Sequence, residues 1–387
     1  MATLRVGIVG SRFAAHLHLT AYRRVYGVGA RLAGVTSPTA GKRDAFAKET
    51  GATAYPTLGA MLPHVDVVDV CSPPATHEPV ALEAIAAGKH VIIEKPFTGA
   101  FATPNDRDAL YREAVASADR IVKAAEKRGV VLGYAENWIY APAIQKEREI
   151  IEKTGAQILW MIGGESHSGS HSPVYGIWKH AGGGSLVGKG CHPLSACLYL
   201  KQVEGRARSG KPIRPASVSA RVHEITRLPG YQDKGFLRTD YDDVEDYSQL
   251  HLTFEDSTVA DVFATELVLG GVHNWLDVFA NNHRTSCRLN PVNLLDTYNP
   301  HAEQFRDIYV VEKTGTKEGW SHPAADEEWQ QGFYQEIQDF MECCVSGRRP
   351  QSDALVAQDT VATLYAGYVS ARAGGCETSV GTGAVSR

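Results

Sequence analysis

The tripeptide Glu94-Lys95-Pro96 closes the apolar run His90-Val91-Ile92-Ile93. In an open parallel sheet ligands collect outside the carboxyl ends of the strands, so a lysine one residue past a buried strand is aimed at a cofactor face. An ordinary lysine, with a pKa of about 10.4, is a poor base, but burial and a nearby cationic ring both disfavour the ammonium and tune it. The motif points to hydride transfer with Lys95 as proton partner; a surface lysine snorkelling at a strand end is the alternative. A second chemical group is His192, which follows a glycine-rich loop and begins the apolar helical stretch Leu194-Leu200. Its imidazole suits proton exchange from a helix N-terminus into a cleft, against the alternative of a hydrogen-bonded core histidine. Cys191 beside it is a weak nucleophile candidate, because adjacent helical residues point apart. His167, His171 and His180 accumulate before the triple glycine with HxxxH spacing, yet zinc catalysis needs three placed ligands and a supporting shell. These histidines read as a substrate-facing loop, and no metal is expected.

The elements that must position these groups change character along the chain. Short β-branched runs at Val6-Val9, Arg31-Thr36, Val65-Cys71, His90-Ile93 and Val130-Tyr134 alternate with helical periods at Ala40-Thr50, Thr76-Ala87 and Val115-Arg128. That is the pattern of a doubly wound parallel sheet, a Rossmann fold. Phe101-Arg112 is polar and turn-rich and reads as an inserted loop near the site. After Asn137 a helix, Pro142-Lys153, leads to strands expected at Gln157-Gly163, Ser217-Glu224, Tyr247-Phe254, Thr258-Thr265, Asn274-Ala280 and Thr285-Leu289. Two helices follow at Glu328-Ser346 and Asp353-Ala373. Sequential strands on tight turns make antiparallel sheet, so the second unit is α+β with an open, mostly antiparallel sheet. The expected division is 1–134 for a nucleotide-binding domain and 135–387 for a second domain. The acidic stretch Asp240-Asp246 reads as a solvated turn.

Gly7-Ile8-Val9-Gly10-Ser11-Arg12-Phe13-Ala14-Ala15 follows the first strand and opens the first helix, the context a dinucleotide fingerprint requires. Gly10 makes the tight turn and Ala15 permits close helix packing, while Arg12 stands where a second glycine is usual and offers its guanidinium to phosphate instead. An NAD-specific site carries an acid after the second strand; here Val35-Thr36-Ser37-Pro38-Thr39 offers hydroxyls, with Lys42 and Arg43 a turn beyond. The missing carboxylate and the basic pair lean toward NADP, with NAD held by hydroxyls still open and Lys42 and Arg43 as a solvated helix face the alternative.

The chain's 387 residues suffice for two domains, and a formal net charge of −5 gives no electrostatic case for nucleic acid or an anionic membrane as partner. No apolar run approaches the ~18 residues of a membrane span and the N-terminus lacks a signal-peptide profile, so a cytoplasmic protein is expected. Seven cysteines with no CxxC pair argue against a disulfide framework. Aromatic residues at this density are mostly core, but Tyr140 and Trp178 flank expected loops and are candidates for stacking on a sugar ring.

At this point the chain resembles the Gfo/Idh/MocA family of sugar and inositol dehydrogenases over nearly its whole length. The likeness rests on Val6-Gly10, on Cys71-Ser72-Pro73-Pro74 with Thr76-His77, on Ala87-Gly88-Lys89-His90-Val91 running into Glu94-Lys95-Pro96, and on Gly182-Gly183-Gly184-Ser185 followed by Gly190-Cys191-His192-Pro193. The resemblance implies a substrate held between a Rossmann domain and a C-terminal sheet that commonly pairs subunits, hence a homo-oligomer, dimer or tetramer. It implies that Lys95 helps deprotonate or orient the reacting hydroxyl and that His192 exchanges its proton. Cys71, Ser72, Pro73 and His77 would border the nicotinamide and ribose, joining Gly10, Ser11, Arg12, Phe13, Ala14, Ser37, Lys42 and Arg43, with Glu94 on the cofactor side. The family's Asp-x-Gly-x-His stretch is here Gly188-Lys189-Gly190-Cys191-His192, and a later aspartate is Ser195, so the acid's work falls to Lys189 or to a polar residue of Tyr134-Ala135-Glu136-Asn137-Trp138. The expected activity is NAD- or NADP-dependent oxidation of a secondary hydroxyl of a sugar, glycoside or cyclitol, or its reverse, with Asn137, Tyr140, Trp178 and Lys189 toward a carbohydrate or polyol substrate. Cleavage of a glycosidic bond through transient oxidation and ligand sensing without turnover are the competing classes.

Overall fold

The computed structural model describes residues 3–102, 106–170 and 172–381. Six strands, β1 (Thr3–Val9), β2 (Gly29–Thr36), β3 (Thr53–Tyr55), β4 (Val67–Val70), β5 (His90–Glu94) and β6 (Leu132–Ala135), pair in parallel in the order β3-β2-β1-β4-β5-β6. The strand order reverses between β1 and β4, so the loops leaving them diverge and open a crevice there. Helices α1 (Phe13–Tyr22), α2 (Ala40–Thr50), α3 (Leu58–Met61), α4 (His77–Ala86) and α5 (Arg107–Arg128) make the connections. Val91, Ile92 and Ile93 of β5 are almost wholly buried, as a strand covered on both faces must be.

Helix α5 begins well before the expected start and takes up half of the stretch read as a loop. The Asp106 side chain caps it by accepting from Ala109 N, and Leu110, Ala114, Ala118, Ile121 and Ala125 form one buried stripe. Polar residues on its outer face had masked that period. β3, three residues long, carries too short a pattern to be anticipated.

The chain continues through α6 (Asn137–Tyr140), α7 (Pro142–Thr154), β7 (Ile158–Ser166), α8 (Trp178–Ala181), α9 (Ser185–Gly188), α10 (Cys191–Ser209), β8 (Pro215–His223), β9 (Tyr247–Phe254), β10 (Val259–Thr265), β11 (His273–Ala280) and β12 (Arg284–Asn290). After a small pair, β13 (Thr297–Asn299) and β14 (Gly319–Ser321), come α11 (Glu327–Gln330), α12 (Phe333–Ser346), α13 (Ala354–Arg372) and β15 (Thr378–Ser379). The second sheet runs β12-β11-β7-β10-β9-β8-β15 and is antiparallel except where β7 lies parallel to β10. The expected single helix Glu328-Ser346 is broken at Gly332, whose φ is 93° and whose position leaves no room for a Cβ beside Asn137 O. Helix α12 packs on α1, and α13 lies against both α5 and β8, so the C-terminal helices clamp the two sheets together.

The acidic stretch is solvated only at Asp240, Asp242 and Asp243, and its end is buried. Asp246 is fully buried and accepts from Ile225 N, Thr226 N and Thr226 Oγ1, while Glu245 accepts from the backbone of Gly184 and Leu186. Glu245 thereby anchors the triple-glycine loop that leads to His192. A Cβ on Gly184 would collide with the Glu245 backbone, which is why that passage requires glycine.

Candidate active site

The crevice at the β1/β4 divergence extends between the sheets as a cavity of about 980 Å³. Its cofactor end is formed by Gly10, Ser11, Arg12, Phe13 and Ala14 from the turn into α1, Ser37 after β2, Cys71, Ser72 and Pro73 after β4, and Glu94 and Lys95 after β5. Gly10 has φ 120°, and a Cβ there would come within 2.5 Å of Cys71 O, so only glycine lets the two loops approach. Helix α1 has no side-chain cap at Arg12, and the buried Ser11 Oγ has no partner among the described residues. Uncapped N–H groups and an unpaired hydroxyl facing the cavity fit a dinucleotide's pyrophosphate.

Three of the expected cofactor residues lie elsewhere. Lys42 is exposed on α2, and Arg43 donates to Asp44 Oδ1 at 2.8 Å; neither lines the cavity. His77 is buried, its ring nitrogens 2.8 Å from Ser72 O and 2.9 Å from Pro96 O, so it straps the two loops together from behind. Burial holds its imidazole below the usual range.

Lys95 Nζ donates to Gly188 O at 3.1 Å and stands 5.9 Å from the centre of the Tyr175 ring. Gly188, where the resemblance implies an aspartate, thus offers the lysine its backbone carbonyl. Burial acts against the ammonium, but Tyr175, Cys191, Glu165 and Glu94 outweigh it and raise the Lys95 pKa. The expectation that burial tunes Lys95 toward a base is therefore corrected: in this setting it is a cation that donates hydrogen bonds. Behind it, Glu94 Oε1 lies 3.2 Å from His18 Nε2, and His18 Nδ1 lies 2.8 Å from Asp69 Oδ2. Burial opposes a charged His18, yet Asp69 holds its pKa well above the ordinary value.

His192 is the first-turn residue of α10, and its Nδ1 lies 2.5 Å from Glu136 Oε1. A carboxylate only accepts, so Nδ1 donates and Nε2 is left facing the cavity. Glu136 comes from the end of β6, its other oxygen accepts from Tyr134 Oη at 3.4 Å, and Trp138 stacks on the imidazole at 5.9 Å. Of the stretch Tyr134-Trp138, then, it is Glu136 that orients the histidine. Lys189, the other candidate, is an ion-pair partner of Glu266 and donates to Ser170 Oγ. It lines the cavity with its ammonium already committed.

Asn137 also lines the cavity while its Nδ2 donates to Gln331 O. Tyr140 and Trp178 do not line it. Tyr140 is 1% exposed, donates to Asp339 and accepts from Ser352 N; Trp178 is equally buried, with its indole N–H donating to Ala100 O. Both are core, because each polar tip finds its partner inside the protein. Of the loop histidines, His167 lines the cavity, His180 is exposed and His171 lies outside the described residues. Burial pushes the Cys191 thiol well up, which leaves it an inert neighbour of the dyad.

Among the cavity residues that escaped the sequence reading are Glu165 on β7 and Asn274 on β11. Burial pushes the Glu165 carboxyl up, while His192, Lys95 and Lys189 pull it down; the net direction is upward. The available signal was a polar residue in the inward phase of an otherwise apolar strand face.

Residues 4–136 match the model of an oxidoreductase family with an NAD-binding Rossmann fold, the GFO_IDH_MocA model. Over these residues, its N-terminal domain, the chain is similar to the Gfo/Idh/MocA oxidoreductases. It is similar to UDP-N-acetylglucosamine 3-dehydrogenase of Acidithiobacillus ferrooxidans, 32% identical over 38% of this chain and 42% of that enzyme. It is similar also to D-glucoside 3-dehydrogenase of Escherichia coli, 29% identical over 51% of this chain and 54% of that one. The matched part thus spans only about half the length of these relatives, or less. In fold the likeness is complete: GenD2 from gentamicin A biosynthesis, solved in complex with NAD, superposes with a TM-score of 0.79 at 23% identity, covering 98% of this chain and 97% of that one.

Proposed function

We propose that this chain is a nicotinamide-dependent dehydrogenase or reductase that interconverts a secondary hydroxyl of a sugar, glycoside or cyclitol with the ketone. The observation that carries the reading is the convergence of Lys95 and the Glu136–His192 dyad on one cavity whose other end is the nucleotide turn. When bound there, the nicotinamide ring supplies the hydride acceptor or donor. In the oxidative direction the Lys95 ammonium donates a hydrogen bond to the reacting hydroxyl and stabilises the charge that develops on its oxygen. His192 Nε2 takes the hydroxyl proton as the carbon-bound hydrogen leaves as hydride, and the Glu136 carboxylate compensates the imidazolium so formed. Similar relatives that act at the third carbon of a sugar or glucoside support a pyranose substrate. The residues after β2 at the cavity, Ser37, Pro38 and Thr39, include no carboxylate, and Arg12 stands at the same mouth; both support NADP alongside NAD. The test is a polyol and glycoside panel with NAD and NADP, followed by nicotinamide absorbance. Turnover abolished in Lys95→Ala sustains the reading, and absence of reduction across the panel overturns it.

A further inference from the structure

The excursion between β13 and β14 is built as a hinged flap. Its base is closed where Thr297, Tyr298 and Asn299 pair with Ser321, Trp320 and Gly319, and Asn299 Nδ2 donates to Lys317 O at 2.7 Å. Its outer part is tied to itself, because Lys317 Nζ donates to the carbonyls of Phe305, Arg306 and Ile308 at 2.9, 2.8 and 2.7 Å. A loop with close ends and internal ties moves as one body on its base. Tyr309, Val311, Glu312 and Lys313 line the cavity on the side of the second sheet, where Lys313 Nζ comes to 3.4 Å from His167 Nδ1. Ile308 and Tyr309 are exposed to solvent, so a single layer of chain roofs the cavity there. Of residues 305–317 only Val310 is buried, and a segment with so little core opens at low cost.

One carboxylate fastens this roof. Glu327, buried at the start of α11, accepts from Tyr309 Oη and, at 3.3 Å, from Glu312 N on its Oε2. Its Oε1 accepts from Asn290 Nδ2 at the end of β12 and from Gln331 Nε2. Glu327 is thus anchored to the body of the protein by one oxygen and holds the roof by the other. A dinucleotide at the nucleotide turn fills the opposite reach of the cavity, and a substrate that follows it has this roof to pass. Resting on the dehydrogenase reading above, we propose that residues 305–317 are a lid, hinged at the β13–β14 pair and latched by Tyr309 to Glu327, that opens to admit substrate to the cofactor-loaded site and to release product. Lid opening of this kind limits kcat in many enzymes.

The test places a thiol beneath the lid. Val272 lines the cavity and is 4% exposed; Val272→Cys, saturated with NAD or NADP, is pulsed with N-ethylmaleimide, and the modified peptide is followed by mass spectrometry apart from those of the native cysteines. Adding Tyr309→Phe, which removes only the hydroxyl of an exposed residue, should speed labelling by about tenfold or more, the worth of a hydrogen bond to a charged group. Amide exchange should accelerate by a similar factor over 305–317 and not in β7 or β11, while cofactor affinity and circular dichroism stay as in the wild type. Glu327→Ala should do the same, and Tyr309→Phe on top of it should add nothing; if Glu327→Ala does not fold, Tyr309→Phe alone decides. Labelling at the unmodified rate in Tyr309→Phe, or faster exchange spread evenly over both sheets, would overturn the lid. Faster labelling without nicotinamide reduction across the polyol panel removes the dehydrogenase reading and keeps the lid as the gate of the cavity. Reduction by a polyol with labelling unmoved does the reverse.

Discussion

Glu136→Gln removes the charge of the dyad and little else. Glu136 Oε1 accepts from His192 Nδ1 at 2.5 Å, with side chains 0% and 6% exposed, so water does little to screen the pair. An amide oxygen still accepts from Nδ1, and the ring keeps its orientation. What is lost is the carboxylate's stabilisation of the imidazolium when Nε2 takes a proton. Hydrogen bonds to charged groups are worth about 1.5–3 kcal/mol. An opposite-charge pair about 4 Å apart at an effective dielectric of about 20 gives about 4 kcal/mol. At about 1.36 kcal/mol per decade, that range lowers kcat by roughly 10- to 1000-fold. The assay is steady-state nicotinamide absorbance with the best polyol of the panel, together with cofactor affinity, which should not move. A double-mutant cycle with His192→Asn isolates the pair: once the histidine is gone, losing the Glu136 charge should cost almost nothing. Wild-type kcat in Glu136→Gln, or an equal loss in the presence and absence of His192, would refute the assignment of His192 as the proton carrier.

Gly184→Ala places a methyl group against the Glu245 backbone and should destabilise by about 1–3 kcal/mol, as overpacking does, lowering the melting temperature and also kcat. Gly41→Ala on α2, where a Cβ meets nothing within 4 Å, is the control and should be neutral or stabilising by up to about 1 kcal/mol. Ser37→Glu puts a carboxylate beside a ribose 2′-phosphate and should raise the ratio of NAD to NADP kcat/KM by about tenfold or more, each factor of ten being about 1.4 kcal/mol; an unchanged ratio would place the 2′ position elsewhere. Burial raises the Glu165 carboxyl, so between the ordinary carboxylate range and its folded value the native state binds more protons than the unfolded chain, and stability falls as pH rises through that window. Thermal melts across pH should show Glu165→Gln flattening this fall and gaining most over the wild type on its alkaline side, a gain that vanishes if Glu165 is ionised at no cost.

The parts legible in the sequence are those whose physics is local. The apolar run into Lys95, the turn at Gly10 and the alternation of β9, expected at Tyr247-Phe254 and found there, each announce themselves within a few residues. Lys95 and His192 were visible because a strand end and a helix start fix where such side chains emerge. Their ionisation was not, because it depends on groups distant in the chain: Glu165 and Gly188 reach Lys95 only after the second sheet folds over the first. For the same reason Tyr140 and Trp178 looked available for a sugar ring, although Asp339, Ser352 and Ala100 had already taken their polar atoms. The glycine at 188, where the resemblance implies an aspartate, follows the same logic. A backbone carbonyl meets Lys95, Glu136 from the end of β6 holds His192, and Glu165 faces the lysine's surroundings from β7.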